Sequence, residues 1–268
     1  MPKSPKHQWN AADYASHSSA QVKWGEENIA KLKLRGNETV LDIGCGNGKL
    51  TCALAQKLPG GFVQGVDSST EMIRFAKKSF PSSAMANLSF KVCDASRLTF
   101  SNKFDIVVSF SCLHWIKDHL PVLKGIQRSL KTNGRVLLQF GGKGNAADIL
   151  AVSDEVIAGA QWKKYFRGFI FPWHFYTPVE YSVWVKKSGL TAQRIELMVR
   201  DMVQNSKDDL IGWMRATWVP YVCRVPAGLQ NKFLAEITER YLVRYPLDEH
   251  GRAHVKMQRL EVEACKEK

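Results

Sequence analysis

The sequence predicts an α/β fold in which a doubly wound, mostly parallel sheet is followed by a helical, aromatic-rich cap. From residue 38 to about 140, short apolar segments alternate with segments of helical pattern, as βαβ units do. The apolar segments are dense in valine, isoleucine and phenylalanine, as expected for strands that helices cover on both faces. Aromatic residues then become frequent between residues 143 and 231, which indicates an additional packed element.

The length and composition of the chain are compatible with this organisation. With 268 residues and 45% hydrophobic residues, the chain can bury a sizeable core. We expect a single domain made of an N-terminal helical arm (1–36), a ligand-binding core (37–142), a cap insertion with the sixth strand (143–250) and a last strand (251–268).

A glycine-rich turn joins the first predicted strand to a helix. The strand Val40–Ile43 is followed by glycines at positions 44, 46 and 48, and the helical pattern begins at Lys49. Glycine lets the backbone bend sharply and approach a ligand, and the start of the helix directs unpaired N–H groups toward the same space. A dinucleotide fingerprint would need glycine or alanine where Lys49 stands, so the spacing disfavours NAD. We therefore expect a nucleoside over this turn.

Acidic residues end the second and third predicted strands. Phe62–Asp67 is an apolar strand whose last residue lies 25 positions after Asp42, where a carboxylate can accept hydrogen bonds from ribose hydroxyls. Asp94 follows the strand that begins at Leu88, and we expect it to bind an adenine amino group. The glycine turn alone is equally consistent with a structural role, but two acids in register favour a ligand site.

The remaining elements follow from the same patterns. Phe104–Phe110 is predicted to be a fourth buried strand and Gly134–Phe140 a fifth, introduced by a turn at Lys131–Gly134. The predicted helices are Lys49–Leu58, Ser69–Ser79, His119–Leu130 and an N-terminal helix that includes Ser18–Trp24. The last two strands are predicted at Thr191–Val203 and His254–Ala264.

These segments, in this order, resemble the motifs of the class I S-adenosylmethionine-dependent methyltransferases. The segment Ser111–Ile116 and the tail from Trp213 to Ala264 are similar to the branch that contains trans-aconitate methyltransferase and the insect juvenile-hormone-acid methyltransferases. The resemblance implies a Rossmann-like, seven-stranded sheet whose last strand is antiparallel. It also implies S-adenosyl-L-methionine as the cofactor and a small-molecule carboxylic acid as the methyl acceptor.

The resemblance also implies cofactor contacts, motif by motif. It assigns Asp42 and the loop residues Gly44, Cys45, Gly46 and Gly48 to the methionine part of the cofactor. It assigns Asp67 with Ser68 to the ribose, Asp94 with Ala95 to the adenine, and Tyr14 of the N-terminal arm to a position over the cofactor. Many relatives have asparagine where this chain has Phe110, so we expect backbone groups to make that contact here.

The predicted chemistry is an in-line transfer of a methyl group to a carboxylate. A carboxylate is ionised near neutral pH, so no general base is needed, and the enzyme must hold the acid with donors that bring no competing charge. The resemblance assigns this role to Trp115 and Gln21, with His114 as a third candidate and Arg215 as a weaker one. Without the resemblance, His114 would be a histidine packed on Trp115, and Gln21 a surface residue. A closed aromatic cap would assist the transfer by excluding water.

Other functions fit parts of the same pattern. The acceptor carboxylate can belong to an acyl group on a carrier protein, whose acidic surface would match the net charge of +13. If the acceptor is an amine or a hydroxyl, His114 would act as a base and activity would rise with pH. A noncatalytic cofactor-binding protein and an RNA methyltransferase are less favoured, because the glycines and acids are intact and no RNA-binding module is visible.

Composition argues against several further classes. Lysine and arginine are scattered rather than clustered, so we expect no nucleic acid partner. No apolar run reaches the roughly 20 residues of a membrane helix, and the first residues lack the hydrophobic centre of a secretory signal. We therefore expect a cytoplasmic protein with no membrane partner. The six cysteines show no ligand-like spacing and are expected to be reduced thiols without a metal. The sequence indicates no oligomeric state.

Overall fold

The computed structural model describes residues 9–17 and 19–267, which form two compact units. The sheet unit comprises residues 21–143, 173–198 and those from 258 onward. The helical unit comprises the described residues up to 20 together with 144–172 and 199–257. The division of one domain into arm, core, cap and last strand stays a prediction. Among the described residues, no helix is both long enough and apolar enough to cross a membrane.

Seven strands of the described chain form one sheet. They are β1 Thr39–Ile43, β2 Phe62–Asp67, β3 Leu88–Val92, β4 Phe104–Phe110, β5 Leu130–Gly141, β6 Thr191–Gln204 and β7 Ala253–Cys265. Their order is β3-β2-β1-β4-β5-β7-β6. The pairs β1 with β2, β1 with β4, β2 with β3 and β4 with β5 are parallel, whereas β7 is antiparallel to β5. The predicted fold class is confirmed.

Helices connect these strands and build the helical unit. The α-helices of the described residues are α1 Ala11–His17, α2 Ser19–Lys31, α3 Lys49–Gln56, α4 Thr70–Ser79, α5 Leu120–Ser129, α6 Ala147–Ala158, α7 Pro178–Lys187, α8 Lys207–Thr217, α9 Val219–Val222 and α10 Ala227–Arg244. Short 3₁₀ helices lie at Ala95–Arg97, Leu113–Trp115 and Lys163–Phe166. Local side chains fix several of the helix starts. Ser69 caps α4 by accepting from the N–H of Met72, and Thr177 and Glu180 form a capping box at the start of α7.

Helices cover both faces of the sheet because successive strand residues alternate between two hydrophobic clusters. Val40 of β1 belongs to one cluster with Leu54 of α3. Leu41 of β1 belongs to the other cluster, with Ile126 of α5. Since both faces are covered, ligands bind at the carboxyl ends of the parallel strands in such a sheet.

Aromatic side chains form much of the core of the helical unit. Trp162, Phe166, Tyr221 and Phe233 are buried and make edge-to-face or tilted ring contacts with one another. The indole of Trp162 also donates a hydrogen bond to Glu236 Oε2 at 2.7 Å. Packing within this unit therefore accounts for part of the aromatic density that follows residue 143.

The bounds of β2 and β4 are those predicted, but β5 differs from its prediction. β5 begins at Leu130, so the turn predicted at Lys131–Gly134 is wrong. The pairing of β5 with β4 shifts register between Leu130 and Arg135, and Asn133 has a left-handed conformation with φ 63°. The glycine and asparagine that suggested a turn instead form an irregularity within a continuous strand.

Candidate active site

Three glycines of the loop between β1 and α3 have left-handed backbone conformations. Gly44, Gly46 and Gly48 have φ angles of 74°, 51° and 84°, which other residues adopt rarely. A Cβ built at Gly44 would overlap the side chain of Cys112, whereas one at Gly46 would meet nothing within 4 Å. The backbone of Gly46 therefore faces open space that a ligand can enter.

Hydrogen bonds and close packing fix this glycine loop at both ends. The N–H groups of Gly44 and Cys45 both donate to the carbonyl of Val66 at the end of β2, at 2.8 and 3.0 Å. Gly48 is the N-cap of α3, and a Cβ there would come within 2.8 Å of Phe90. The loop is thus held in one conformation between β2 and α3.

Asp67, the last residue of β2, is oriented by backbone N–H groups. Its Oδ2 accepts from Gly46 at 3.0 Å, and its Oδ1 accepts from Ser69 at 2.8 Å. Burial raises the pKa of Asp67, while hydrogen bonds from Ser69, Gly46 and Ser68 oppose that rise. The carboxylate is therefore held in one orientation beside the open space at Gly46.

Asp42, in β1, is 3% exposed and accepts a hydrogen bond from Thr51 Oγ1 at 2.8 Å. Burial raises the pKa of Asp42 to about 7; the bond from Thr51 opposes the rise, and the negative charge of Asp67 adds to it. A buried carboxylate whose pKa is raised further by a second carboxylate favours a ligand that carries positive charge.

Asp94 lies just beyond β3, next to the strand that carries Asp67. Its Oδ1 accepts from the N–H and the hydroxyl of Ser96, at 2.8 and 2.7 Å, and so caps the 3₁₀ helix that begins at the buried Ala95. The N–H of Cys93 donates to the carbonyl of Asp67 at 2.9 Å. The glycine loop and both acids are therefore brought together at the carboxyl ends of β1, β2 and β3.

Asn47 was not predicted from the sequence, although it lies within the glycine loop. It is buried, and its Oδ1 accepts from the N–H of Lys49 at 3.3 Å. Its Nδ2 is buried and has no hydrogen-bond partner in the part of the chain that the structure describes. A buried amide without a partner is costly, which makes this N–H group a candidate donor to a ligand. The glycines around Asn47 dominated the sequence pattern.

The segment after β4 closes the other side of the glycine loop. Phe110 is buried, and Ser111 follows it with a φ of 54°. Cys112 then lies against Gly44. Burial raises the pKa of the Cys112 thiol and that of the Cys45 thiol. Both thiols therefore stay protonated and fill space beside the loop.

His114 lies in the 3₁₀ helix Leu113–Trp115. Its Nδ1 accepts a hydrogen bond from the N–H of Gly141 at 3.3 Å. Burial lowers the pKa of His114 well below its usual value, and the nearby Arg259 and His119 lower it further. The imidazole is therefore neutral at neutral pH, and because Nδ1 accepts, the proton lies on Nε2. Nε2 of His114 is therefore a hydrogen-bond donor. A general base would need this nitrogen to be unprotonated.

An aromatic strap, residues 173–176, is bonded to this 3₁₀ helix. The N–H of His174 donates to the carbonyl of His114 at 2.8 Å. Trp173 is buried and lies edge-to-face with Trp115, with 5.6 Å between the ring centroids. His114 and Trp115 thus lie in apolar aromatic surroundings that restrict water.

Gln21 lies in the first turn of α2. Its Oε1 is buried and has no hydrogen-bond partner among the described residues. Trp24 and Gly25, three and four residues later, share its helix face. A Cβ at Gly25 would overlap Leu50 in the first turn of α3. Gln21 therefore lies one helical turn from the contact with the helix that follows the glycine loop.

Arg259 of β7 was not predicted as a site residue. It is 3% exposed, its Nη2 donates to Ser111 Oγ at 2.7 Å, and its guanidinium lies over the ring of Trp24 at 5.4 Å. Every second residue of β7 from 255 to 261 is buried. The sequence did contain a signal for this residue, because an arginine at a core-facing position of a strand is unusual and indicates a specific role.

Two predicted residues lie in the helical unit. The ring of Tyr14 packs edge-on against Trp9, with 5.9 Å between centroids, and its cofactor contact stays a prediction. Arg215 donates from Nε and Nη2 to the carboxylate of Asp13, at 3.2 and 3.0 Å. The ion pair with Asp13 explains the position of the Arg215 guanidinium, so no contact with the methyl-accepting acid is needed to explain it.

Comparison with known proteins agrees with this geometry. A family model described as a methyltransferase domain matches residues 34–169, which is half of the chain. The chain belongs to this methyltransferase family. It is 28% identical over 189 residues to the putative methyltransferase 235L of Invertebrate iridescent virus 6, covering 70% of this chain and 69% of that protein. It is 24% identical over 267 residues to trans-aconitate 2-methyltransferase of Rhizobium etli, covering 96% and 99%.

Solved structures share the fold. Phosphoethanolamine N-methyltransferase 2 of Haemonchus contortus, in complex with S-adenosyl-L-methionine, superposes with a TM-score of 0.59 at 21% identity. The match covers 98% of this chain and 59% of that chain. The resemblance drawn from the sequence is thus confirmed, and the chain is an S-adenosylmethionine-dependent methyltransferase.

The residues of the glycine loop fit this cofactor. The open space at Gly46 admits a ligand close to the backbone. The buried amide of Asn47 offers a hydrogen-bond donor, and the carboxylates of Asp42 and Asp67 suit hydroxyl and positively charged groups. A nucleoside that carries a sulfonium and an amino acid has all of these groups.

Proposed function

We propose that this methyltransferase esterifies the carboxylate of a small organic acid. The observation that carries the proposal is the state of His114, which is neutral and has its proton on Nε2 beside the indole of Trp115. A site with donors and no base suits an acceptor that is already ionised. Relatives named trans-aconitate 2-methyltransferase, which match nearly the full chain, support the same class of acceptor.

The cofactor side of the site has residues suited to each part of S-adenosylmethionine. When bound, the cofactor supplies an electrophilic methyl group on a positively charged sulfur. We assign Asp67 with Ser68 to the ribose hydroxyls and Asp94 with Ala95 to the adenine. Around the methionine part we assign Asp42, Gly44, Cys45, Gly46, Gly48, the backbone of Phe110 and, as a new member, the amide of Asn47. The contact of Tyr14 with the cofactor stays a prediction.

The acceptor side would hold a carboxylate without removing a proton. His114 and Trp115 each offer one N–H donor, at Nε2 and at the indole nitrogen. The buried, unpartnered Oε1 of Gln21 is an acceptor, so Nε2 of the same amide is the group that would donate to the acid. Three neutral donors orient the acid while one oxygen lone pair stays directed at the methyl group.

The aromatic strap would assist by keeping water away from the reacting groups. Charge is neutralised as the carboxylate attacks a cationic centre, so an apolar environment favours the transition state over the separated ions. Trp173 is buried against Trp115, and Phe175 lies 6.3 Å from His114 between ring centroids. These rings would line the acceptor pocket with apolar surface.

An acceptor that must be deprotonated fits the site less well. An amine or a hydroxyl would need His114 as a base, but its lowered pKa and its proton on Nε2 oppose that role. A carboxylate on a carrier protein is compatible with the same donors and with the net charge of +13. A carrier-bound acceptor and a free acid have the same carboxylate and differ only in the rest of the acceptor molecule.

Labelled cofactor tests the proposal directly. We would incubate the chain with methyl-labelled S-adenosylmethionine and octanoic, trans-aconitic and farnesoic acids, and measure label released as methanol by mild alkali. We expect base-labile label with at least one acid and, at saturating cofactor, a rate that changes little between pH 6 and 9, because no base titrates in the transfer step. Alkali-stable label on an added amine, or a rate that rises tenfold per pH unit, would contradict esterification. Asp67→Ala, which removes the ribose acceptor, is the control for cofactor-dependent label.

A further inference from the structure

We infer that Arg259 binds the carboxylate of the acceptor acid and selects for anionic acceptors. The inference rests on the proposed esterification and adds to its neutral donors a positive charge from β7. The argument depends on where the guanidinium lies, what fixes it and which groups its charge reaches.

The strand register brings Arg259 level with the donor His114. In the antiparallel ladder of β5 and β7, Arg259 pairs with Gly141. The N–H of the same Gly141 donates to His114 Nδ1 at 3.3 Å. Arg259 and His114 therefore lie at one end of the sheet, the end at which β4 and β5 finish.

Two contacts hold the guanidinium on this side of the sheet. Nη2 donates to Ser111 Oγ at 2.7 Å, and Ser111 directly follows β4. The guanidinium also lies over the indole of Trp24, three residues after Gln21 on α2. Arg259 thus lies among elements that carry the proposed carboxylate donors, Gln21 on α2 and the segment from Ser111 to Trp115.

Burial makes this charge effective. Arg259 is 3% exposed, and its charge contributes to the lowered pKa of the neighbouring His114. A charge in such surroundings interacts strongly with an anion, because little water screens it. A guanidinium has five N–H donors, so the bond to Ser111 is compatible with a bidentate carboxylate. Such a pair uses one lone pair of each oxygen and leaves another for attack on the methyl group.

The order of the strands separates the backbone of this arginine from β1, and the bond to Ser111 brings its guanidinium to the end of β4. The glycine loop follows β1, and β7 is separated from β1 by β4 and β5. At about 4.8 Å per strand, the backbone of Arg259 is about 14 Å from β1. The carboxylate of the cofactor itself is the competing ligand for the guanidinium, and binding measurements distinguish the two.

The experiment compares four full-length proteins: wild type, Arg259→Gln, Arg259→Lys and Arg135→Gln. Arg135 is a matched control because it pairs with Cys265 at the opposite end of the same ladder and donates to the carbonyl of Leu32. Calorimetry gives the affinity for S-adenosylhomocysteine, and methyl release gives kcat and KM for the acid of the panel that reacts fastest. The primary amide of that acid serves as an uncharged competitive inhibitor.

We expect Arg259→Gln to raise KM for the acid by about 10- to 100-fold, which is the range for losing a charge-assisted hydrogen bond. The affinities for S-adenosylhomocysteine and for the amide should stay within about twofold, since neither measurement involves the acceptor's charge. Arg259→Lys should recover part of the loss, because it restores the charge without the planar fork. Arg135→Gln should match wild type.

Three results would overturn the inference. A fall in affinity for S-adenosylhomocysteine would assign Arg259 to the cofactor's carboxylate. Equal weakening of acid and amide would assign it a structural role, and an unchanged KM would exclude contact with the acid. If wild type neither methylates octanoate, trans-aconitate or farnesoate with S-adenosylmethionine nor binds them when loaded with S-adenosylhomocysteine, the proposed function fails and the inference fails with it. Methylation that is equally fast in wild type and Arg259→Gln overturns the inference alone.

Discussion

Replacing Asp42 by asparagine should stabilise the cofactor-free protein while weakening cofactor binding. Asp42 is buried and its pKa is raised to about 7, mainly because burial opposes its charge. The folded protein therefore holds the proton more tightly than the unfolded chain, whose aspartate has a pKa near 3.9. As pH rises from about 4 through 7, wild type loses stability, and above 7 the loss is complete.

The size of this effect follows from the shift in pKa. A shift of about 3 units corresponds to about 4 kcal/mol of folding free energy at neutral pH and above, and to about 1.5 kcal/mol at pH 5. Asparagine keeps an oxygen for the hydrogen bond from Thr51 Oγ1 but carries no charge. Asp42→Asn should therefore be more stable than wild type by as much as about 4 kcal/mol at pH 8, with a smaller difference at pH 5.

Urea unfolding of the cofactor-free proteins at pH 5 and 8 measures this difference, and calorimetry with S-adenosylmethionine measures binding. We expect the variant to bind the cofactor at least tenfold more weakly, because it lacks a negative charge for the cationic ligand. Asp118→Asn, an exposed change outside the loop, is the control and should alter neither property. The reasoning is refuted if Asp42→Asn is no more stable at pH 8, or if its advantage is equal at both pH values.

Four further changes test other parts of the structure. Asp67→Ala should weaken S-adenosylhomocysteine binding by about 10- to 100-fold in calorimetry, because it removes two carboxylate acceptors; unchanged affinity would remove it from the ribose role. Trp115→Phe should leave that affinity alone and lower kcat about tenfold for the best acid, and full turnover would exclude the indole as a donor. Gly46→Ala should cost only about 1 kcal/mol in urea unfolding but reduce cofactor affinity more, since its Cβ would enter ligand space at a φ of 51°. Glu261→Gln should destabilise the protein by about 1.5 to 3 kcal/mol, because Lys31 would lose the charge of this buried carboxylate, whereas Arg194 would keep Glu196 and Glu263; a loss below about 0.5 kcal/mol would contradict this.

The positions of the glycine loop and of the strand-end acids were predictable because their signals are local. A glycine loop between an apolar strand and a helix, and acids at the ends of the next two strands, are encoded by neighbouring residues. Parallel strands then bring these ends together, so Asp67 and Asp94 needed no long-range information to be found. The sequence missed Asn47, because an asparagine in a loop is common and its buried, partnerless amide is visible only in the folded chain.

The acceptor side depended on contacts between distant residues. The bond that fixes the proton of His114 comes from Gly141, and the partner of Arg259 is Ser111, 148 positions away. No pattern in one segment encodes such a pair, because strand register and sheet order decide which side chains meet. The β5 irregularity has the same origin, since the hydrogen bonds of Asn133 and Gly134 with the distant Lys266 overrode a local turn signal.

The sequence by itself thus determined the fold class and the strand ends that carry the acids, since these follow from local spacing and hydrophobic period, while the cofactor was implied by the resemblance of these motifs to a known family. The tertiary structure alone decided the protonation state of His114 and the position of the buried charge of Arg259. Burial and neighbouring charge set both properties, and both arise only when distant strands pack together.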